Sequence, residues 1–201
     1  MAQSNITANR KDQIIHATLS CIRKQGYHNF SMQDVAKKAG VSKGIIHYYF
    51  LNKDTLMLSV LETVVLEIEE LLQKELLKTH KPEEKLIIFI ELCLSLVQTT
   101  KQYYQVNIDF WTQINQKKDV SHIIAKHYQK FRNICTSILE EGMKQKVFQK
   151  HDSHQYSSFI LAAIDGISLQ TLFDTQAFNY NEMVKKTSSW LIKGILTGKT
   201  K

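Results

Sequence analysis

The sequence predicts an all-α protein, on three observations. The chain has 201 residues but one proline and seven glycines, too few breakers for the turns that strands require. Alternating apolar and polar runs of strand type are almost absent. Long amphipathic segments fill most of the chain instead, and 43% of its residues are apolar, enough for a substantial core.

Element by element, residues 1–9 are polar and are expected to fray. A first helix is expected over 10–24, with Ile15, Leu19 and Ile22 at helical spacing and Gly26 as its stop. Three helix starts of one design follow. Phe30, Ser31, Asp34 and Val35 have the spacing of a capping box with a hydrophobic staple. Val41, Ser42 and Ile46 repeat the staple spacing, as do Leu51, Asn52 and Leu56. They predict short helices over 32–39 and 43–49, held at fixed angles. From Asp54 the segments lengthen, to 54–79, 83–101, 103–116, 121–147, 154–176 and 180–197. Pro82 with Glu83 and Glu84 is a helix start, and Asp152 with Ser153, and Asn179, mark others. The expected division is 1–53 and 54–201, with no linker between them.

Charge is uneven. Residues 1–55 carry eight Lys or Arg against three Asp, and 56–201 carry 18 against 16. A basic module on a near-neutral body points to a polyanion partner for the module, although a solubilising surface would look the same. Cys21, Cys93 and Cys135 lie far apart among apolar neighbours, a spacing that fits buried free thiols rather than a disulfide framework or a metal knuckle. The first residues have no apolar signal segment. Unbroken apolar stretches such as 86–90 are too short for a membrane span. These features predict a cytoplasmic protein without a membrane partner.

The stretch 31–50 carries the functional signal. Helices 32–39 and 43–49, joined through Gly40, Val41 and Ser42, have the spacing of a helix-turn-helix. Ala36 is small where they cross. Val35, Ala39, Val41 and Ile46 are the expected inner face, and Phe50 is expected in the core. The outer face then holds Lys43, Gly44, Ile45, His47 and Tyr48. These are donors suited to phosphates and base edges, with Ile45 suited to a thymine methyl. Gly44 costs about 1 kcal/mol of helix propensity, offset by close approach of the backbone to DNA. Tyr49 falls between core and outer face. Lys53 stands at a helix start, where amide ends favour a phosphate.

Residues 18–56, with the Gly-Tyr pair, "VAKKAGVSKG", "YYF" and "NKDTL" in order, closely resemble the DNA-binding domain of the tetracycline-repressor (TetR) family of bacterial regulators. "GIIHYYF" is similar to the choline-sensing branch of that family. The resemblance implies a homodimer of all-helical subunits on a palindromic double-stranded operator. It places Ser31, Ser42, Lys43, Gly44, His47, Tyr48, Tyr49 and Lys53 at DNA-contact positions, although His47 departs from the usual tyrosine or tryptophan. It also implies dimerisation through the last two helices. There Phe159, Ile160, Ala163, Ile164, Ile167, Trp190, Leu191 and Ile195 could serve, or could equally be intrachain core.

Family members often sense a small ligand in the C-terminal body. Residues 101–115 interleave Tyr103, Tyr104, Phe110 and Trp111 with Asn107, which suits a pocket or an aromatic core helix. Asp165 lies in an apolar run and needs a partner. Phe89, Cys93, Tyr128 and Phe131 are further candidates. Such a site would take an aromatic or lipophilic effector, or a cationic one. His151 and His154 read as neighbours of a helix cap rather than metal ligands. No nucleophile elbow, phosphate loop or paired acids suggest an enzyme or a cofactor. The expectation is therefore a ligand-responsive repressor; the alternative is a DNA-binding factor of the same fold governed by a protein partner.

Overall fold

The computed structural model describes residues 2–26, 29–99 and 118–197, with side chains for 9–26, 29–96 and 121–197. Among these residues the chain forms eight helices: α1 (Ala2–Gln25), α2 (Met32–Ala39), α3 (Lys43–Tyr49), α4 (Lys53–Leu76), α5 (Pro82–Thr99), α6 (Lys118–Lys144), α7 (Ser153–Phe173) and α8 (Tyr180–Lys193). The all-α expectation holds. The expected helix over 103–116 lies outside the described residues.

Two boundaries differ for visible reasons. α1 starts at Ala2 rather than at residue 10, since neither glycine nor proline interrupts 2–9. α8 ends at Lys193, because the residues beyond Gly194 are drawn into pairing elsewhere. Gln149 N–H donates to the Ile195 carbonyl at 2.7 Å and Thr197 N–H to the Val147 carbonyl at 2.9 Å, around an isolated antiparallel bridge between Phe148 and Leu196. The Phe148 ring lies over Gly142, where a Cβ would come within 2.1 Å of it. A glycine is the residue that admits this ring.

The chain divides into two compact units. The first contains α1, α2, α3, α4 as far as Glu67 and the start of α6. Its core is set by Ile14, Ile22, Val35, Ile46, Leu56 and Met57, each at most 1% exposed. The second contains the rest of α4 and α6 with α5, α7 and α8. Leu72, Leu86, Phe89, Ile90, Leu94 and Leu139 fill its centre. Burying each such side chain contributes about 1.5–3 kcal/mol.

Candidate nucleic-acid interface and effector site

The α2–α3 pair is assembled by local chemistry. Ser31 Oγ accepts from Asp34 N–H at 3.2 Å, and Ser31 N–H donates to Asp34 Oδ2 at 2.8 Å, a complete capping box. The side-chain bond from Ser31 is the main cause holding the Asp34 carboxyl below its usual range. Gly40 ends α2 at φ 64°, with its N–H on the Lys37 carbonyl and the Val41 N–H on that of Ala36. This is a Schellman closure that an L side chain would strain. Ser42 Oγ accepts from Ile45 N–H at 3.3 Å and starts α3.

Burial follows the inner-face expectation at Val35, Ala36, Ala39, Ile46 and Phe50. Val41 is only partly buried, because the Schellman turn holds it at the edge of the crossing. The third staple is not made. Leu51 is 80% exposed, and a reciprocal pair takes its place: Thr55 N–H donates to Asn52 Oδ1 and Asn52 N–H to Thr55 Oγ1.

The outer face is open. Lys43, Gly44, Ile45 and His47 are exposed, as are Ser31 and Ser42, and Tyr48 stands 80% clear. Tyr49 is half-buried, its ring meeting that of Tyr48 edge-on at 5.1 Å. Lys53 differs from these residues. Its ammonium donates to the Phe30 carbonyl at 2.9 Å and lies 3.9 Å from the centre of the Phe30 ring. Another tie was invisible in the sequence: Gln13 Nε2 donates to the Ala39 carbonyl at 2.7 Å and closes the end of α2 from α1. The two residues are 26 apart, and no local pattern marks that distance.

In the second unit, the Tyr128 hydroxyl donates to Asp165 Oδ2 at 2.7 Å. Burial raises the Asp165 carboxyl above its usual range, and the Tyr128 bond opposes this. Burial likewise pushes the Cys93 thiol up to about 12, and Asp165 adds to the rise, so Cys93 lies within electrostatic reach of that carboxylate. One turn along α7, Ser168 is fully buried and its hydroxyl finds no partner among the described residues. A carboxylate beside a phenol ring suits a cation better than an anion.

Phe131 packs at the margin of the core. Phe89 is fully buried at the centre of the hydrophobic cluster, which also contains Cys93. Tyr103, Tyr104, Asn107, Phe110 and Trp111 lie outside the described residues. His151 turns Nδ1 to the Gln149 carbonyl, and Asp152 caps α7 through Gln155 N–H. No three His, Cys, Asp or Glu side chains form a metal-holding group among the described residues.

The residues expected at a dimer interface separate into two sets. Ile160, Ile164, Leu191 and Ile195 are buried in the chain's own core, the second of the two expected placements. Phe159 and Trp190 are 58% and 60% exposed, and Ala163 and Ile167 are partly so. The Tyr156 hydroxyl pins the two helices by donating to the Leu191 carbonyl at 2.6 Å. α7 reaches a mean hydropathy of 1.2 over an 18-residue window, long and apolar enough for a membrane span by those measures alone, yet only 28% of that window is buried within the chain. Most of its other residues are partly buried, and Phe159 and Phe173 are its exposed large apolar side chains.

Known proteins resemble both regions. The family described as "Bacterial regulatory proteins, tetR family" matches residues 14–60. That described as "BetI-type transcriptional repressor, C-terminal" matches residues 82–193, more than half the chain. The HTH-type transcriptional regulator BetI of Serratia proteamaculans is 22% identical over 185 residues, 90% of each chain. A transcriptional regulator from Saccharomonospora viridis, solved in complex with choline, superposes with a TM-score of 0.84 at 22% identity, over 95% of this chain and 100% of that one. FadR of Bacillus subtilis, solved in complex with stearoyl-CoA, gives 0.74 at 24%, over 91% and 98%.

Proposed function

Because the chain belongs to the TetR family and is a DNA-binding transcriptional regulator, we propose that it is a repressor that holds a palindromic operator as a homodimer and leaves it when a small effector enters the C-terminal body. In this reading residues 1–53 read DNA, and residues 54–201 sense the effector and pair the subunits. The observation that carries it is the division of α3. Ile46 is wholly buried while Lys43, Gly44, Ile45, His47 and Tyr48 all face outward, so one anchored face leaves the other to enter a major groove.

Pairing through α7 and α8 is supported by the open face of α7 with Phe159, and by Trp190 on α8. The effector class is supported by Asp165 and Tyr128, and by the choline and stearoyl-CoA in related structures. A quaternary ammonium fits the carboxylate and the ring, and a lipophilic chain fits the apolar surroundings. Either one releases DNA only by binding the released state better than the bound state.

Selection from a randomised duplex pool, with purified protein and no effector, tests the first half. An enriched palindrome is expected; salt-sensitive binding with no enrichment would overturn the operator. Addition of choline, larger quaternary ammoniums and long-chain acyl-CoA to the selected complex tests the second half. Release by at least one class is expected, and full retention with all of them overturns the effector reading.

A further inference from the structure

The last carbonyls of a helix have no partner within it. In α2 those of Ala36 and Lys37 are taken up by the turn, through Val41 N–H at 3.0 Å and Gly40 N–H at 3.3 Å. The Ala39 carbonyl is taken up from outside the helix pair: Gln13 Nε2, on α1, donates to it at 2.7 Å. Ala39 is 4% exposed, which leaves little room for water to replace that donor. Gln13 is itself held in one orientation. Its Oε1 accepts from Arg10 Nη1 at 2.9 Å, one turn back on α1, so both ends of the amide are engaged. Ala39 directly precedes Gly40, and only Gly40, Val41 and Ser42 separate α2 from α3. Gln13 therefore grips the peptide from which the chain turns into α3.

We propose that Gln13 is a positioning residue for sequence reading: by holding the Ala39 carbonyl it sets, from α1, the angle at which α3 is offered to the bases. This role rests on the DNA-reading function above. Base edges are read by short, directed hydrogen bonds, whereas phosphates are met by charge that tolerates small displacements. A small rotation of α3 therefore costs sequence preference before it costs general affinity.

Three variants separate the possible roles of this side chain. Gln13→Met keeps its length and loses both polar atoms. Gln13→Glu keeps an oxygen for Arg10 and sets a second oxygen against the Ala39 carbonyl. Gln13→Lys restores a donor. Each is compared with wild type on the selected duplex and on a random one, with melting temperatures measured in parallel and amide exchange followed in the DNA-free protein. Gln13→Met is expected to lower the ratio of selected to random affinity about fivefold, the size of one neutral hydrogen bond. Gln13→Glu should lower it at least as much, and Gln13→Lys by less than about twofold. Taking the ratio cancels the general effect of an added charge. Exchange at the Gly40 and Val41 amides should quicken in Gln13→Met and Gln13→Glu.

Equal loss on both duplexes, or an unchanged ratio with only a lower melting temperature, would make Gln13 a plain structural tie and overturn the proposal. A ratio kept by Gln13→Glu but lost by Gln13→Met would overturn it by assigning the effect to the Arg10 pair. A lowered ratio with unchanged exchange at Gly40 and Val41 would overturn it by making Gln13 a direct contact to DNA. Wild type that selects no sequence overturns the DNA-reading function itself, an outcome seen before any variant is made.

Discussion

The short helix α3 and the long helix α7 are held by different means. α3 has seven residues, starts at a serine cap and has Ile46 as its buried residue. α7 has 21 residues and sends Ile160, Leu161 and Ile164 into a shared core. α3 is held chiefly by what lies at its ends, and α7 by what lies along its side. A helix too short to be stable alone can still be placed accurately when caps and a crossing partner define it. A long apolar helix such as α7 also has its cap, at Asp152, but depends on it less, and nothing in its own sequence says which of its faces the chain will use.

The largest effect should come from the side-held region. Phe89→Ala is expected to lower the unfolding free energy of the second unit by about 3–5 kcal/mol in urea titration. A loss below about 1 kcal/mol would mean that the core beneath α7 is not what holds it. In the end-held region, Ser31→Ala should cost about 1 kcal/mol, and hydrogen exchange should show the loss first at the amides of α2. Uniform loosening across the chain would break the contrast.

Two carboxylates sharpen the comparison through pH. Asp34 is partly buried and held below its usual range by Ser31. The unfolded chain therefore binds the extra proton, and the contribution of Asp34 is present above about pH 3.9 and lost as pH falls through its lowered value. Asp165 is raised by burial, so the folded chain keeps a proton that the unfolded chain releases. Its contribution falls as pH rises from about 3.9 to its raised value, and stays low above it. Asp165→Asn retains an acceptor for Tyr128 and should leave the protein more stable at neutral pH, while weakening the response to quaternary ammoniums. Equal stability of variant and wild type at pH 7 would contradict the burial of that carboxylate. Smallest in stability, Lys43→Ala should stay within about 0.5 kcal/mol of wild type yet reduce the salt slope of DNA binding by about one unit; an unchanged slope removes Lys43 from the phosphates.

The same contrast decides what could be read from sequence. Ser31, Asp34, Gly40 and Ser42 act within a few residues of one another, so spacing alone foretells their structure, and with it the exposed outer face of α3. Lys53 on Phe30 and Gln13 on Ala39 act across 23 and 26 residues, and neither chain position advertises its partner. In the second unit the pattern of α7 marks a helix but does not distinguish Ile160, which enters the core, from Phe159, which does not. The exposed Leu51 shows the limit within the motif itself: staple spacing is present, but the Asn52–Thr55 pair starts α4 without a packed Leu51.

The bridge between Phe148 and Leu196 also has a mechanical meaning. A pull applied beyond Thr197 would reach the Val147 and Ile195 carbonyl bonds before it reached α8. With the Phe148 ring wedged onto Gly142 behind them, those bonds act as a strain relief, and α8 would not begin to peel until the clasp tore.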